Sequence, residues 1–242
     1  MVEIPESHPR YESLKTRESL VERVEEGITS KAGLIAHGRG EMFDYLLGER
    51  TIDSAKKAEK KAIDVILKAE NPVISINGNV AALVPAEIVS LSQRLKAKLE
   101  VNLFHRSEER INKIAELLKK DGAKKIYGTG KPDAEIPGLE HERALCSKEG
   151  IYSADVVLVP LEDGDRAKAL KEMGKTVITI DLNPISRTAK TADISIIDNI
   201  VRAVPNMIDL EPLSGKEFDN SENLSQTLDH MCERLKELSK DI

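Results

Sequence analysis

The sequence lacks the features that mark several large classes of protein. Its 242 residues contain no tryptophan, 3% aromatic residues and two cysteines, Cys146 and Cys232, in no CxxC spacing. So few aromatic side chains argue against a base-stacking surface. The cysteine count argues against a disulfide framework and predicts a reducing, cytoplasmic location. No apolar run reaches the roughly 20 residues of a membrane helix, and the N-terminal residues lack the pattern of a signal peptide.

Motifs of the common catalytic and nucleotide-binding sites are also missing. The sequence has no GxxxxGK[ST] loop and no GxGxxG after a predicted strand, so a bound nucleotide must be held in another way. Its five histidines are scattered with no i, i+4 pair, which predicts no resident metal site. No Ser/His/Asp or Cys/His arrangement of a nucleophilic enzyme is recognisable.

Negative charge is concentrated at one end of the chain. The formal net charge is −6, and residues 207–242 contain nine acidic and four basic side chains. That segment therefore carries most of the excess, and the rest of the chain is nearly neutral. A nucleic-acid or membrane partner is not expected, because either would need a concentrated basic face. The neutral body remains able to bind a small anionic ligand.

Helical periodicity in the first part of the chain gives way to alternating strands and helices. Residues 1–70 are predicted to be helical, 71–210 to form an α/β core, and 211–242 to be a linker with an amphipathic C-terminal helix, all within a single domain. Short apolar strands are predicted at 73–76, 99–103, 125–127, 154–160, 176–180 and 193–197. Strands that are apolar on both faces predict a mainly parallel sheet with helices on both faces.

Polar or small residues follow the first five of these strands. The segments are NGN, FHR, GTGK, LEDGD and DLNP. Because ligands of open parallel sheets bind at the carboxyl ends of the strands, these segments predict a ligand crevice. Asn77-Gly78-Asn79 could instead be an ordinary turn without a ligand. The side chains of His105, Arg106 and Lys131 could instead be ordinary solvated surface groups.

Two further segments contain candidate anion-binding residues. His37-Gly38-Arg39-Gly40 interrupts a helical pattern, so either the helix breaks there or a ligand or backbone comes close. In the second case Arg39 would be a phosphate-binding fork. Residues 181–188 (DLNPISRT) follow a strand, where Asp181 and Asn183 suit a ribose or an adenine edge and Arg187 suits a phosphate. A capped crossover loop is the alternative.

Long blocks of the sequence resemble one family of enzymes. They include HPRYESLKTRESLVE, AHGRGEMFDYLLGE, SINGNVAAL, ADVVLVPLEDGDRAKAL and ITIDLNPISRTA. Together the sequence resembles the archaeal phosphopantothenate synthetases, also called 4-phosphopantoate–β-alanine ligases, over residues 4–240. The resemblance implies a Rossmann-like homodimer that joins 4-phosphopantoate to β-alanine in coenzyme A biosynthesis. It also implies ATP as co-substrate with Mg²⁺, an acyl-adenylate intermediate, and release of AMP and pyrophosphate.

The resemblance also implies the positions that contact ATP. These are Arg17, Arg39, Asp181, Leu182, Asn183, Arg187, Thr188, Asn199 and Ile200. Catalytic roles are expected for Arg39 and Arg187, whose charge would offset the approach of two anions. Either His37 or His105 is expected to be the base that deprotonates β-alanine.

The 4-phosphopantoate pocket is predicted from the strand ends. The residues expected to line it are Asn77, Asn79, His105, Arg106 and Lys131. Two other functions remain open on the same sheet: a nucleotide-dependent oxidoreductase, which the missing GxGxxG disfavours, and a non-catalytic nucleotide-binding protein.

Overall fold

The computed structural model describes residues 5–8 and 10–240. The strands are β1 (Val73–Ile76), β2 (Lys98–Val101), β3 (Ile126–Tyr127), β4 (Ala134–Glu135), β5 (Leu145–Cys146), β6 (Val156–Leu158), β7 (Thr176–Asp181) and β8 (Ile194–Ile197). The α-helices are α1 (Tyr11–Glu25), α2 (Lys31–Leu47), α3 (Asp53–Lys68), α4 (Gly78–Leu83), α5 (Pro85–Leu95), α6 (Glu108–Lys120), α7 (Gly164–Glu172), α8 (Arg187–Thr191), α9 (Ile200–Asp209) and α10 (Asn220–Leu238).

Six parallel strands form the central sheet in the order β3-β2-β1-β6-β7-β8. The first strand, β1, lies in the middle of the sheet. The chain adds β2 and β3 on one side of it and then β6, β7 and β8 on the other. This is the strand order of doubly wound nucleotide-binding folds, with the change of direction between β1 and β6. The predicted α/β class with a parallel, Rossmann-like sheet is confirmed.

Alternating strand residues build a separate core on each face of the sheet. Ile74 and Leu158 pack with residues of α3, α5, α6 and α9. Val157 and Val177 point the other way and pack with α7 and the antiparallel hairpin β4–β5. Because both faces of each strand are covered, the strands are apolar throughout, as the sequence pattern indicates.

A third, smaller core joins the two ends of the chain. Leu47 of α2, Leu224 and Met231 of α10, and Ile197 of β8 are buried together with Leu182, which follows β7. The C-terminal helix therefore packs one apolar face against the body, and most of its charged side chains are exposed. Within the described residues, none of the helices combines the length and apolarity needed to cross a bilayer.

Two elements differ from the expectations. Asn77-Gly78-Asn79 forms the cap and first turn of the six-residue helix α4 rather than a simple turn. Helix α2 runs through His37-Gly38-Arg39-Gly40 without a break, so the suggested interruption of this helix is wrong. Its C-terminus is instead at Gly48, which adopts the left-handed conformation with φ of 89°.

Candidate active site

A cavity of about 540 Å³ opens at the carboxyl edge of the sheet, beside the change of direction between β1 and β6. Its walls come from α2, from the start of α4, and from the segments that follow β6 and β7. The lining residues are Ala36, His37, Arg39, Gly40, Phe43, Asn79, Leu161, Glu162, Asp163, Gly164, Asp181, Leu182, Asn183, Ser186, Arg187 and Thr188. Eight of the residues predicted for ATP, substrate or catalysis lie here: His37, Arg39, Asn79, Asp181, Leu182, Asn183, Arg187 and Thr188.

The segment after β7 is held by hydrogen bonds to Asp181. Its carboxylate accepts from Ser186 Oγ at 2.6 Å and from the amide of Asn183 at 3.0 Å. Burial raises the pKa of Asp181, while these donors and the charge of Arg39 oppose the rise. Leu182 of this segment is buried in the third core. The cavity wall is therefore anchored from behind.

The starts of two short helices, α7 and α8, lie next to each other and line the cavity. Asp163 caps α7 by accepting the amide of Arg166, and Ser186 caps α8 by accepting the amide of Ala189. The buried Thr188 donates to the carbonyl of Glu162 at 2.8 Å, which ties the two segments together. Arg187 pairs with Asp165 at the exposed rim, where a competing anion can reach it.

Helix α2 presents an imidazole to the cavity. Burial is the main cause that lowers the pKa of His37, and the charge of Glu41 opposes this shift without cancelling it. The ring is therefore neutral at pH 7 and able to accept a proton. Its buried Nε2 has no hydrogen-bond partner among the described residues.

Arg17 lies next to this wall on α1. Its Nε is 3.3 Å from Glu41 Oε2 and its Nη2 donates to the Tyr45 hydroxyl at 3.2 Å. It does not line the cavity itself.

Asn199 and Ile200 are not in this cavity. Asn199 lines a second space of about 470 Å³ that shares α2 as a wall and also contains Asp44 and Arg202. Its side chain accepts from the amide of Val201 and donates to Asp44 Oδ2 at 2.8 Å. Ile200 is buried in the first core.

The side chains of Asn77 and Asn79 are occupied by the protein itself. Asn77 donates to the carbonyls of Pro160 and Leu161 and accepts two amides of α4. Asn79 accepts from the Thr29 hydroxyl at 2.5 Å and donates to the carbonyl of Gly33 at 3.0 Å, so it fixes the start of α2.

The remaining predicted substrate residues lie farther along the same edge, after β2 and β3. Arg106 Nη2 donates to the carbonyls of Gly128 and Gly130, at 3.0 and 3.2 Å. His105 stacks edge-on against Phe104, and Lys131 is exposed. None of the three lines the cavity.

Sequence reasoning gave no role to a buried ion cluster behind the cavity wall. The side chain of Glu162 is 1% exposed and is paired with both Arg143 and Arg166. Arg166 is fully buried, and Arg143 also bonds Asp163 at 2.8 Å. The Glu162–Arg166 spacing of i, i+4 was the available signal. Arg143 lies in a segment with no regular pattern, so its sequence context offered no signal for this contact.

Comparison with known proteins adds a family to this geometry. A model of the phosphopantothenate/pantothenate synthetase family matches residues 54–239. The 4-phosphopantoate–β-alanine ligase of Thermococcus kodakarensis is 55% identical, over 100% of this chain and 97% of that protein. The protein of the same name from Methanosarcina mazei is 53% identical, over 100% and 99% of the two chains. The resemblance read from the sequence is thereby confirmed.

Proposed function

The chain belongs to the phosphopantothenate/pantothenate synthetase family, and we propose that it is an ATP-dependent ligase that condenses 4-phosphopantoate with β-alanine. The product would be 4′-phosphopantothenate, an intermediate of coenzyme A biosynthesis. One feature supports this most strongly: the cavity at the carboxyl edge combines Arg39 and Arg187 with the neutral His37. The names of the relatives supply the two substrates.

We propose a reaction in two steps. In the first, a carboxylate oxygen of 4-phosphopantoate attacks the α-phosphorus of ATP and pyrophosphate leaves, which gives an acyl-adenylate. In the second, the nitrogen of β-alanine attacks the acyl carbon and AMP leaves with the former carboxylate oxygen. Neither step uses an enzyme nucleophile, so the protein contributes mainly positioning and charge.

Arg39 and Arg187 supply positive charge to the first step. The carboxylate and the polyphosphate repel each other, and guanidinium groups can bind phosphate oxygens in a bidentate manner. Asp181 and Asn183 are proposed to contact the adenosine, since their segment forms one wall of the cavity. Arg17 and the Asn199–Ile200 pair remain proposed ATP contacts through the resemblance.

His37 is proposed to take the proton that β-alanine must lose. The amine is mostly protonated at neutral pH and attacks only after deprotonation. His37 is favoured over His105, the other candidate base, because it lines the cavity and its lowered pKa keeps the ring neutral.

Mg²⁺ is proposed to arrive with the nucleotide phosphates. Among the described residues no three His, Cys, Asp or Glu side chains gather into a metal site. A magnesium ion that is bound mainly by phosphates and water needs only one or two carboxylates. The ion would neutralise part of the polyphosphate charge.

A homodimer is also proposed, through α2 and α10. Ile35 and Met42 on α2 and Leu228 and Leu235 on α10 are exposed at seven-residue spacing, and the two helices pack side by side. Residues seven apart lie on one face of a helix, so each helix carries an apolar stripe. Sedimentation equilibrium of the protein and of Ile35→Lys tests this surface; an unchanged dimer in the variant would exclude it.

The function is tested by a coupled assay for AMP. The complete reaction contains ATP, 4-phosphopantoate, β-alanine and Mg²⁺, and each substrate is omitted in turn. We expect AMP only when both organic substrates are present, apart from slow release of the adenylate. AMP formation that ignores 4-phosphopantoate would contradict the proposal. Arg39→Ala should raise KM for ATP about tenfold or more, whereas Arg23→Ala, which alters a Glu26 ion pair on α1, should not.

A further inference from the structure

Asn77 occupies the point where the two halves of the sheet separate. The paired residues of β1 and β6 are Val73 with Val157 and Ile74 with Leu158. Beyond Leu158, the segment after β6 continues its backbone bonds toward β7, through Val159 to Ile178 and Leu161 to Ile180. On the β1 side the backbone ladder has ended, so a side chain must bridge the gap.

The amide of Asn77 makes that bridge. Its Nδ2 donates to the carbonyl of Pro160 at 2.9 Å and to that of Leu161 at 3.2 Å. Its Oδ1 accepts the amides of Asn79 and Val80 at 3.0 and 3.1 Å. Both donors and both acceptor positions are used within the protein, and the residue is 9% exposed.

The segment that Asn77 holds is strained and forms a cavity wall. Leu161 adopts the left-handed region with φ of 53°, which a branched side chain rarely enters. Leu161, Glu162 and Asp163 line the cavity. From behind, Glu162 is fixed by the buried Arg143 and Arg166. Strain of this kind persists where the surrounding contacts determine the conformation.

We propose that Asn77 is a positioning residue that sets the β6 wall of the active site, and that it does not contact 4-phosphopantoate. This assignment rests on the proposed ligase function for its kinetic test. It departs from the prediction that Asn77 binds substrate, because the structure leaves its side chain no free donor. It also gives the buried Glu162–Arg143–Arg166 cluster a purpose, as the second anchor of the same wall.

Asn77→Asp separates the two roles of this side chain. A carboxylate keeps an oxygen that can accept both amides of α4, since Asp is as good a cap as Asn. It loses both donors and places a negative charge against two carbonyl oxygens. At lower pH the introduced carboxyl group binds a proton and can donate one hydrogen bond again. The matched control is Asn71→Asp, at the amino end of the same strand, where Asn71 donates to Ser153.

The kinetic comparison is made with saturating β-alanine across the range from about pH 6 to pH 8.5. For Asn77→Asp we expect kcat to fall about 10- to 100-fold at the alkaline end. The loss should shrink as pH falls, and KM for 4-phosphopantoate should stay within about threefold. A KM for 4-phosphopantoate raised about tenfold or more with kcat retained would show direct substrate contact and overturn the proposal. Unchanged kinetics would overturn it as well.

Amide hydrogen exchange measures how firmly this wall is held, and it requires no enzyme activity. We expect faster amide exchange in residues 159–166 of Asn77→Asp and unchanged exchange in β7 and β8. No difference from the wild-type protein would contradict the positioning role of Asn77. A wild-type protein without ligase activity would refute the proposed function. The exchange comparison would still show whether Asn77 holds this wall in place. If Asn77→Asp does not fold, Asn77→Ser keeps a capping oxygen and lacks the amide, and it should lose kcat without recovery at low pH.

Discussion

At the scale of single residues, the chemistry depends on which polar groups remain free. Asn77, Asn79 and Arg106 all follow strands, yet their side chains donate hydrogen bonds to backbone carbonyls elsewhere in the protein. His37 differs, because it lines the cavity and its buried Nε2 has no hydrogen-bond partner among the described residues. A free group in a ligand cavity is available for the reaction, whereas a fully bonded one positions other groups.

His37→Gln tests the proposed base. Overall kcat should fall about 100-fold, while the exchange of pyrophosphate into ATP should change less than about twofold, because it reports only the first step. The lowered pKa of His37 places the acidic limb of the wild-type kcat profile below pH 6.5, and the variant should lack that limb.

His105→Gln is the control for this experiment. His105 is not at the cavity, so its removal should leave both the rate and the acidic limb in place. If His105→Gln abolishes the limb and His37→Gln does not, the base has been assigned to the wrong histidine.

Glu59 is expected to make stability depend on pH. It is fully buried on α3, and burial is the main cause that raises its pKa from 4.5 to about 8. Between these values the folded state holds a proton that the unfolded state releases, so stability is lost as pH rises toward 8. Glu59→Gln removes this loss. Its stability relative to wild type should therefore increase by about 2–4 kcal/mol between about pH 5 and pH 9.

Urea unfolding at several pH values measures this difference. Glu172→Gln, on the exposed surface of α7, is the control and should follow the wild-type curve. Parallel curves for wild type and Glu59→Gln would contradict the raised pKa.

At the scale of elements, helix α2 has glycines in two distinct roles. A Cβ on Gly33 would lie 2.4 Å from Asn79 Oδ1 and 2.6 Å from Thr29 Oγ1, whereas one on Gly38 would meet nothing within 4 Å. Gly33 therefore permits α2 to approach α4 closely. Gly38 lowers helix stability and has no packing reason in the protein alone.

Alanine at these two positions should have opposite effects. Gly38→Ala should raise the free energy of unfolding by about 0.5–1 kcal/mol, and Gly33→Ala should lower it by about 1–3 kcal/mol through overpacking. Chemical denaturation measures both. Destabilisation by Gly38→Ala would mean that α2 is not a regular helix at this point.

The elements that were predicted from the sequence are those with clear periodicity. The six central strands were recognisable because each is a short apolar run between helical segments. The hairpin β4–β5 and the helix α4 were not, since the hairpin strands do not stand out as apolar runs in their loop-rich segment and a six-residue helix contains too few residues to show a period. The strand ends indicated the cavity because parallel strands end at one edge. The partners of Asn77 and Glu162 depend on tertiary packing, which one sequence does not specify.

At the scale of the whole molecule, the acidic C-terminal segment is part of the body. Leu224 and Met231 of α10 share a core with Leu182, whose segment forms a wall of the cavity. None of the described residues of the acidic C-terminal segment lines the cavity, whereas Arg39 and Arg187 do. The protein thus separates its surplus of acidic residues from the site proposed to bind two phosphorylated substrates.

The most direct test of the ligase account follows the carboxylate oxygen of the substrate. 4-Phosphopantoate labelled with ¹⁸O in its carboxylate is converted with ATP and β-alanine, and the phosphorus products are analysed by mass spectrometry. An acyl-adenylate predicts one labelled oxygen in AMP and none in pyrophosphate. Label in inorganic phosphate together with ADP would instead show an acyl-phosphate, and would contradict the proposed mechanism.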